Sequence, residues 1–373
     1  MKILVDPQTY NEQKFGGISR YHTELYLAHQ KVENITISCP LLFSDNLHLK
    51  EASLFQNYRN TVFESKLIPK FIRKKILKRY KKKNLEATVE ALEENNFDVF
   101  IPTYYNPYFL EKLNYKPFVL TLHDMIHELF PHYFTRDLHT VKNKKILLEK
   151  ATKVIAVSYN TKKDILKIYP HIDASKIEVV YLAHSVKTDQ KAKVNLPKAY
   201  ILFVGNRKNY KNFLFFIKAV APILNSHAEM FIVAAGGNKF TKEEHQWIKK
   251  LGISNQILQQ NFEDHELATY YSRAKCFVFP SEYEGFGIPV LESMACGCPI
   301  VLANHSSFPE VAGEAGVYFE LNNESDLKDK VLRLIEDEDF REKHVRLGLE
   351  QVQKFNWQKT ADECLEVYRK AVV

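Results

Sequence analysis

Hydrophobic residues occur along this chain in short runs separated by longer amphipathic stretches. The first series of runs predicts buried strands at 3–5, 35–39, 99–101, 118–122 and 154–157. A second series predicts strands at 200–204, 230–234, 257–260, 276–279 and 300–303. Helical spacing fills the intervals, beginning with a stretch from Ile18 to Gln30. Strands that alternate with helices are typical of parallel βαβ sheets, so the pattern predicts an α/β protein with two such units.

The length of 373 residues also favours two domains over one. The polar stretch from Lys187 to Lys198 separates the two series and is the natural linker. We therefore predict an N-terminal domain over 1–186 and a C-terminal domain over 187–355. A last helix, predicted from Gln358 to Ala371, lies in the remaining segment, 356–373.

Composition and charge narrow the class of protein. Hydrophobic residues make up 45% and charged residues 26% of the chain, which predicts folded domains rather than disorder. The net charge of +7 suits an acidic partner, such as nucleotide phosphate, anionic lipid or nucleic acid, without choosing among them. The five cysteines are scattered and odd in number, so a disulfide framework is not expected. Cys296 and Cys298 lack a second nearby pair that would complete a zinc site.

The N-terminus predicts no export signal. Its apolar run, Ile3 to Val5, is far too short for a signal peptide or a membrane span, and no apolar stretch of the required length occurs elsewhere. We therefore expect a cytoplasmic protein whose contact with the inner face of the cytoplasmic membrane, where it occurs, is peripheral.

One basic segment does not fit the alternation of apolar strands and amphipathic helices. Ten Lys or Arg residues lie between Lys66 and Lys83, with apolar residues at helical spacing among them. Two interpretations stay open. A basic amphipathic helix of this kind can lie on an anionic membrane surface. Alternatively, its apolar stripe packs on the domain and its charged face is solvated.

The most informative stretch follows the predicted strand 276–279. A glycine-containing loop leads to a helix that begins near Ile288, with Pro289 suited to its first turn. Backbone N–H groups of Phe286, Gly287 and Ile288 would then be available to bind an anion such as a diphosphate. Glu284 before the helix and Glu292 one turn into it are suited to accept hydrogen bonds from sugar or ribose hydroxyls. A helix acid beside the dipole and an exposed surface glutamate are the plain structural alternative.

Glu284 and Glu292 resemble the E-x7-E motif of retaining glycosyltransferases with the GT-B fold, particularly family 4. The resemblance extends from Pro280 to Pro299 and, more weakly, through most of the chain. It implies two Rossmann-like, doubly wound domains that face each other across a cleft, with the acceptor bound by the N-terminal domain and the nucleotide sugar by the C-terminal domain. It also implies that the last helix, in 356–373, crosses back to the N-terminal domain. It also implies that Glu292 binds the ribose hydroxyls of a nucleotide-diphosphate sugar and that Glu284 contacts the donor sugar.

A second match to this family is the basic loop after the strand 200–204. The resemblance assigns the donor diphosphate to Arg207 and Lys211. Fixed cations there would stabilise the charge that develops on the leaving diphosphate. Family members usually carry Arg-Lys-Asn where this chain has Tyr210-Lys211-Asn212, so the match holds at Lys211 and departs at Tyr210. A solvated basic loop is the plain structural alternative.

The N-terminal half carries three further matches. The Gly16-Gly17 pair after the first strand would let backbone N–H groups approach a phosphate or the transferred sugar. His123 and Asp124 follow a strand and resemble a His-Asp pair that lies near the transferred sugar in the family, with a structural histidine as the alternative. Ser158 resembles a serine at the cleft edge, although an N-cap for the next helix is favoured.

No metal or other cofactor is expected beyond the nucleotide-sugar substrate. The only Asp-x-Asp triplet, at 337–339, lies in an acidic helical stretch. No covalent nucleophile is evident. The resemblance therefore implies front-face substitution with retention of configuration, in which the acceptor hydroxyl attacks on the side from which the diphosphate leaves.

The donor and the acceptor are less defined. General resemblance to enzymes of surface-polysaccharide synthesis favours transfer of a hexose, mannose from GDP-mannose, to a surface-polysaccharide or lipid-linked glycan. A UDP-sugar donor is the alternative. An epimerase or phosphorylase of the same architecture, or a non-catalytic basic membrane-binding module, are the rival functions. Nucleic acid is not expected as a partner.

Overall fold

The computed structural model describes residues 1–55, 58–60, 69–135, 137–189, 192–207 and 209–373. The strands are β1 Lys2–Val5, β2 Thr36–Ser38, β3 Phe43–Ser44, β4 Arg59–Asn60, β5 Val99–Ile101, β6 Val119–Leu122, β7 Lys153–Ala156, β8 Ile177–Val179, β9 Ala199–Val204, β10 Met230–Ala235, β11 Ile257–Gln260, β12 Cys276–Phe279, β13 Ile300–Ala303 and β14 Gly316–Phe319. The helices are α1 Gln8–Glu12, α2 Gly17–His29, α3 Leu47–Ala52, α4 Lys70–Glu94, α5 Ile126–Leu129, α6 Leu138–Lys150, α7 Tyr159–Ile168, α8 Phe213–Ser226, α9 Lys242–Lys250, α10 Leu267–Ser272, α11 Ile288–Ala295, α12 Phe308–Ala312, α13 Glu324–Glu336, α14 Glu338–Val352 and α15 Trp357–Val372.

The chain forms two compact units, one made of 1–182 with 357–373 and the other of 183–356. In the first unit, parallel strands pair in the order β2-β1-β5 and in the order β6-β7-β8. A parallel bridge between Phe100 and Phe118 joins β5 to the start of β6. The inner strands β1, β5, β6 and β7 are mostly apolar and largely buried, for example Ile3, Leu4 and Val5, as expected for strands covered on both faces.

The terminal helix α15 belongs to the first unit and packs on α2. His29 Nε2–H donates to the carbonyl of Ala361 over 2.9 Å, and the Thr360 hydroxyl donates to the carbonyl of Tyr181 over 2.8 Å. Cys364, Leu365 and other residues of one α15 face are buried there. This apolar face, rather than helix propensity alone, accounts for the stability of the helix.

The second unit contains a six-stranded parallel sheet with the order β11-β10-β9-β12-β13-β14. On one side of β9, the next strands along the chain are β10 and β11. The chain then crosses to the other side of β9, where β12, β13 and β14 follow in order. The neighbours β9 and β12 therefore form the topological switch point, where open α/β sheets bind ligands at the carboxyl ends of the strands.

All ten predicted strands are confirmed, with ends that differ by at most one residue. Two predicted element starts need correction. Gly17 opens α2 and is not part of a loop before it, since Gly16 occupies the N-cap. The basic segment predicted at 66–83 lies in a longer helix, α4, which runs on to Glu94, and 66–68 fall outside the described residues. Within the described ranges, no helix is both long and apolar enough to cross a bilayer.

Candidate active site

Two loops meet at the switch point of the second unit, one after β9 and one after β12. The backbone N–H of Glu282 in the β12 loop donates to the carbonyl of Tyr210 in the β9 loop over 2.8 Å. Gly205, at the end of β9, has φ 107°, a left-handed conformation that favours glycine. The two loops are thus tied together at the edge of the sheet where a ligand is expected.

Two serine side chains from the segment after β13 hold the loop after β12 through hydrogen bonds to its backbone. Ser306 Oγ accepts from the N–H of Glu284 at 3.2 Å and lies 2.6 Å from the Glu284 carbonyl oxygen, to which it donates. The Ser307 hydroxyl lies 2.9 Å from the carbonyl oxygens of both Glu284 and Phe286. This support could not be predicted from the sequence pattern, because the two serines lie beyond β13 and reach the loop only in the folded unit.

The loop ends in a helix N-terminus of the predicted kind. Gly287 is the N-cap of α11 with φ 95°, and a Cβ there would lie 3.2 Å from Val290 Cγ2. Phe286 is buried against the ring of Phe355. Among the described residues, none accepts a hydrogen bond from the N–H of Gly287 or Ile288. These N–H groups and the helix dipole suit this position to an anion.

Lys211 and Glu284 form an ion pair. Lys211 Nζ lies 2.5 Å from Glu284 Oε1, and the side chains are 16% and 15% exposed. The ammonium group also lies 5.1 Å from the Tyr210 ring centroid and 5.2 Å from that of Phe279. The two predicted residues are therefore brought together, with enough exposure for a ligand to reach them.

Glu292 is buried on α11, where the hydroxyl of Tyr271 donates to its Oε2 over 3.2 Å. Burial raises the pKa of Tyr271 well above its ordinary value, and the negative charge of Glu292 raises it further. Tyr271 thus stays a neutral donor that orients the carboxylate. The sequence did not point to Tyr271, because it lies on α10 among other buried aromatic residues.

Arg207 has a different environment from the one predicted. Its Nε donates to Glu244 Oε1 over 2.8 Å, and both side chains are almost fully buried. Its terminal nitrogens donate to the carbonyls of residues 236–239, at 2.8 Å for Asn238 and 2.9 Å for Gly236. The guanidinium carbon lies 4.8 Å from the Phe240 ring centroid. These contacts hold the loop after β10, and a guanidinium so fully engaged within the unit does not fit the predicted contact with a diphosphate.

In the first unit, His123 and Asp124 lie directly after β6. Burial lowers the pKa of His123 to about 4, so the ring is neutral at neutral pH. Its backbone N–H donates to the hydroxyl of Tyr105 over 3.2 Å, while its Nε2 is buried and has no hydrogen-bond partner among the described residues. A neutral imidazole of this kind can exchange one hydrogen bond with a sugar hydroxyl.

The fully buried Lys144 positions Asp124. Its Nζ lies 3.2 Å from Asp124 Oδ1 and 3.2 Å from Glu128 Oε2, and it donates to the Asp124 carbonyl over 3.0 Å. Burial alone would raise the pKa of Asp124, but the charge of Lys144 and the N–H of Ile126 outweigh it and lower that pKa. Lys144 was missed because its neighbours on α6 include several exposed lysines of no evident function.

Gly17 and Ser158 complete the predicted set. A Cβ at Gly17 would meet nothing within 4 Å, so the start of α2 is open to a ligand. By contrast, a Cβ at Gly16 would lie 2.6 Å from Gln13 Oε1. The Ser158 side chain accepts from the N–H of Thr161 at 2.9 Å, which confirms its prediction as the N-cap of α7.

Comparison with known proteins agrees with this architecture. The model for glycosyl transferases group 1 matches residues 186–351, and the model for glycosyltransferase family 4 matches residues 16–186. The O-antigen chain mannosyltransferase B of Escherichia coli is 26% identical over 291 residues, which cover 72% of this chain and 73% of that protein.

Two solved structures share the fold along nearly the whole chain. Sucrose-phosphate synthase from Thermosynechococcus elongatus superposes with a TM-score of 0.75 at 19% identity, covering 99% of this chain and 98% of that one. Anabaena HepE, in complex with UDP and glucose, gives a TM-score of 0.72 at 17% identity, covering 98% of each chain. The protein is therefore a glycosyltransferase with the GT-B fold. It belongs to glycosyltransferase family 4, as the resemblance of Glu284 and Glu292 predicted.

Proposed function

We propose that this enzyme transfers a hexose from a nucleotide-diphosphate sugar to a glycan with retention of anomeric configuration. The observation that carries the proposal is the convergence of Lys211, Glu284 and Glu292 with the N-terminus of α11 at one switch point. The Lys211 ammonium and the N–H groups of Gly287 and Ile288 are suited to hold the diphosphate. Glu292 is suited to the ribose hydroxyls and Glu284 to the sugar hydroxyls.

The proposed chemistry needs no covalent intermediate on the protein. The acceptor oxygen bonds to the anomeric carbon as the bond from that carbon to the diphosphate oxygen breaks, and both events take place on one face of the sugar. The acceptor proton passes to an oxygen of the leaving phosphate. The cation and the helix N–H groups stabilise the charge that develops on the leaving group, so the transfer is proposed to proceed without a metal ion.

We propose mannose as the sugar and GDP-mannose as the donor. The E. coli relative is named a mannosyltransferase of O-antigen synthesis, which supports mannose and a surface-polysaccharide or lipid-linked acceptor. The HepE structure contains UDP and glucose, so a UDP-sugar is the alternative.

The start of α4 supports an anionic membrane surface as a further partner. Phe71 is 73% exposed and Ile72 is 38% exposed, and exposed basic residues surround them. Further along the helix, Tyr80 stacks on Phe43 at a centroid distance of 4.1 Å, and Asn84 accepts from the N–H of Phe43 at 3.0 Å. The helix thus packs on its own unit beyond its third turn, while its first two turns present apolar and basic side chains to solvent.

Product analysis tests the proposed function. Purified protein is incubated in EDTA with GDP-mannose, UDP-glucose or UDP-N-acetylglucosamine and a lipid-linked glycan extract, and the anomeric proton of the product is read by NMR. The proposal predicts an α-linked product from one of these α-linked donors, which Glu284→Gln abolishes. A β-linked product, or transfer unaffected by Glu284→Gln, would contradict it.

A further inference from the structure

One buried ammonium group in the first unit is shared by two carboxylates. Lys144 Nζ lies 3.2 Å from Glu128 Oε2 on α5 and 3.2 Å from Asp124 Oδ1 in the loop after β6, and it donates to the Asp124 carbonyl over 3.0 Å. These three oxygens occupy all three N–H groups of the ammonium. One positive and two negative charges give the three side chains a net charge of −1.

Glu128 is not needed to neutralise Lys144, because Asp124 alone would do so. The Glu128 side chain is 3% exposed, and its Oε1 makes no hydrogen bond to any described residue. A buried carboxylate whose second oxygen is unpaired costs stability. Buried charged groups in such environments are concentrated at functional sites, so the burial of Glu128 beside Lys144 indicates a role beyond packing.

Asp124 is the member of this group that a ligand can reach. Its side chain is 31% exposed, whereas that of Lys144 is fully buried. Lys144 and the N–H of Ile126 both donate to Asp124 Oδ1, the latter over 3.1 Å. Asp124 Oδ2 accepts no hydrogen bond from the part of the chain that the structure describes. The negative charge of the group is therefore presented to a ligand through Asp124 Oδ2.

A second contact holds the short helix that carries Glu128. His127 Nε2 lies 3.5 Å from Asp137 Oδ2, and the His127 ring lies 4.2 Å from that of Phe134, measured between centroids. Asp137 is the N-cap of α6, the helix to which Lys144 belongs. Two neighbouring residues of α5 are thus tied to α6, which fixes Glu128 in its position beside Lys144.

We infer that Glu128 is a positioning residue that acts through Lys144 to maintain a full negative charge at Asp124. Without Glu128, the pair of Lys144 and Asp124 would be neutral. With Glu128, the group keeps its negative charge, which stabilises the positive charge that develops at the anomeric carbon as the bond to the diphosphate breaks. The inference rests on the proposed function, since it concerns the transfer step and takes Asp124 to lie beside the transferred sugar.

Glu128→Gln tests this inference, because glutamine keeps the shape and an acceptor oxygen for Lys144 but removes the charge. The full chain is assayed for release of nucleoside diphosphate from GDP-mannose, UDP-glucose and UDP-N-acetylglucosamine in the presence of the lipid-linked glycan extract. Glu128→Gln should lower kcat about 10- to 100-fold and change the KM for the donor and the Kd of GDP or UDP less than about twofold. An unchanged kcat would overturn the inference.

Three further variants separate charge from structure. Glu128→Met also removes the charge, has the same predicted effect and replaces the glutamine variant if that does not fold. Glu128→Asp keeps the charge and should retain a kcat at least about fivefold above that of Glu128→Gln. Equal losses in the aspartate and glutamine variants would show that the side-chain contact matters rather than the charge. Glu149→Gln, which removes an exposed partner of Lys145 and His171 on the same helix, is the matched control and should change neither kcat nor KM.

The pH dependence of kcat gives a second test of the charge. Burial raises the pKa of Glu128, and the Lys144 ammonium opposes this effect. The other titratable groups that face Glu128 are Asp124, Tyr105 and Tyr169. The pKa of Asp124 is lowered and the pKa values of both tyrosines are raised. As the pH falls, Glu128 therefore takes up a proton before Asp124 does, while the tyrosines stay neutral.

Protonation of Glu128 changes the charge of the group in the same way as Glu128→Gln. The ratio of the wild-type kcat to that of Glu128→Gln should therefore fall to less than about half its value between about pH 8 and about pH 4.5. Groups present in both proteins, among them His123 and His127, cancel in this ratio. A ratio that does not change with pH would show that Glu128 acts through its shape and would overturn the inference.

The outcomes separate the two proposals. If the wild type transferred the sugar with retention and Glu128→Gln did so at the same rate, the role of Glu128 would be refuted and the proposed transfer would stand. If the wild type transferred no sugar from any of the three donors, the proposed function itself would fail.

Discussion

Lys211 Nζ and Glu284 Oε1 lie 2.5 Å apart at the carboxyl edge of the second sheet. The sequence assigned these residues separately, one to the diphosphate and one to the donor sugar. Their pairing means that the cation is held at the site by the carboxylate before any donor binds. A bound diphosphate would then share or displace this contact.

The first prediction concerns the two halves of this pair. Lys211→Gln should weaken GDP or UDP binding about 10- to 100-fold, because a charge-assisted hydrogen bond contributes about 1.5–3 kcal/mol. Glu284→Gln should retain nucleotide affinity and lose most of kcat, since it weakens the proposed contact to the sugar. Calorimetry and initial rates measure both effects. Lys249→Gln, on an exposed face of α9, is the control. Equal nucleotide affinities for the Lys211 and Lys249 variants would refute the assignment of Lys211.

The second prediction follows from the buried pair of Arg207 and Glu244. Arg207→Met should lower the free energy of unfolding by about 3–5 kcal/mol, because it leaves the Glu244 carboxylate buried and without its cation. The double variant Arg207→Met, Glu244→Leu should recover much of that loss. Urea unfolding measures both. A direct phosphate contact predicts the reverse: a stable Arg207→Met protein that has lost nucleotide affinity.

The third prediction concerns the exposed basic residues in the first four turns of α4. Replacement of four lysines by glutamine should reduce binding to phosphatidylglycerol vesicles at least tenfold, because each basic residue near an anionic surface contributes about 1 kcal/mol. The residues are Lys74, Lys75, Lys78 and Lys82. Phe71→Ser with Ile72→Ser should weaken binding at high salt as well, since it removes apolar rather than ionic contact.

Vesicle sedimentation measures this binding, with phosphatidylcholine vesicles as the neutral surface. The matched control replaces four exposed lysines of α6 and α7 by glutamine and makes the same change in net charge. Its residues are Lys142, Lys145, Lys163 and Lys167. Equal losses in the two quadruple variants would show that net charge, rather than α4, governs membrane attraction.

The fourth prediction is a pH dependence of stability that originates in His29. Burial lowers the pKa of His29 to about 4, against the smaller opposing effects of the Ala361 carbonyl and Asp362. The unfolded chain protonates this residue near its ordinary pKa of 6.5, so between about pH 6.5 and 4 the unfolded state binds more protons. The free energy of unfolding should therefore fall as the pH is lowered through this window.

His29→Gln should remove about 2 kcal/mol of the change in unfolding free energy between pH 7 and pH 5. Urea unfolding at pH 7 and pH 5 gives this change for the wild type and for the variant. The contributions of other groups are common to both proteins and cancel when one change is subtracted from the other. His265→Gln, at an exposed position, is the control. A slope in His29→Gln equal to that of the wild type would show that the pKa of His29 is the same in the folded and unfolded protein.

The sequence predicted the strands because each is a short apolar run bounded by polar residues, a signal that depends on local pattern alone. It missed β3, β4, β8 and β14, of which β3 and β4 have only two residues each. The strand Ile177–Val179 has a charged residue at its centre, and Gly316–Phe319 opens on a glycine, so neither reads as a continuous apolar run.

The site was predicted only in part for a related reason. Glu284, Gly287 and Glu292 lie within one motif, and their arrangement follows from a single loop and helix. Arg207, in the loop after β9, is held by Glu244, which lies 37 positions further along the chain on α9. Tyr271 and Lys144 act through contacts of the same non-local kind. Spacing along the chain carries no information about such partners.

The central claim is that the second unit binds a nucleoside diphosphate through its phosphates and ribose without a metal ion, and calorimetry tests it most directly. GDP, UDP and dTDP are titrated in EDTA and then in magnesium, into the wild type and Glu292→Ala. The account predicts that one nucleotide binds equally well in both buffers and that Glu292→Ala weakens it about 10- to 100-fold. The same variant should bind the 2′,3′-dideoxy form no worse than the wild type does. Binding that requires magnesium, or that is unchanged in Glu292→Ala, would contradict the account.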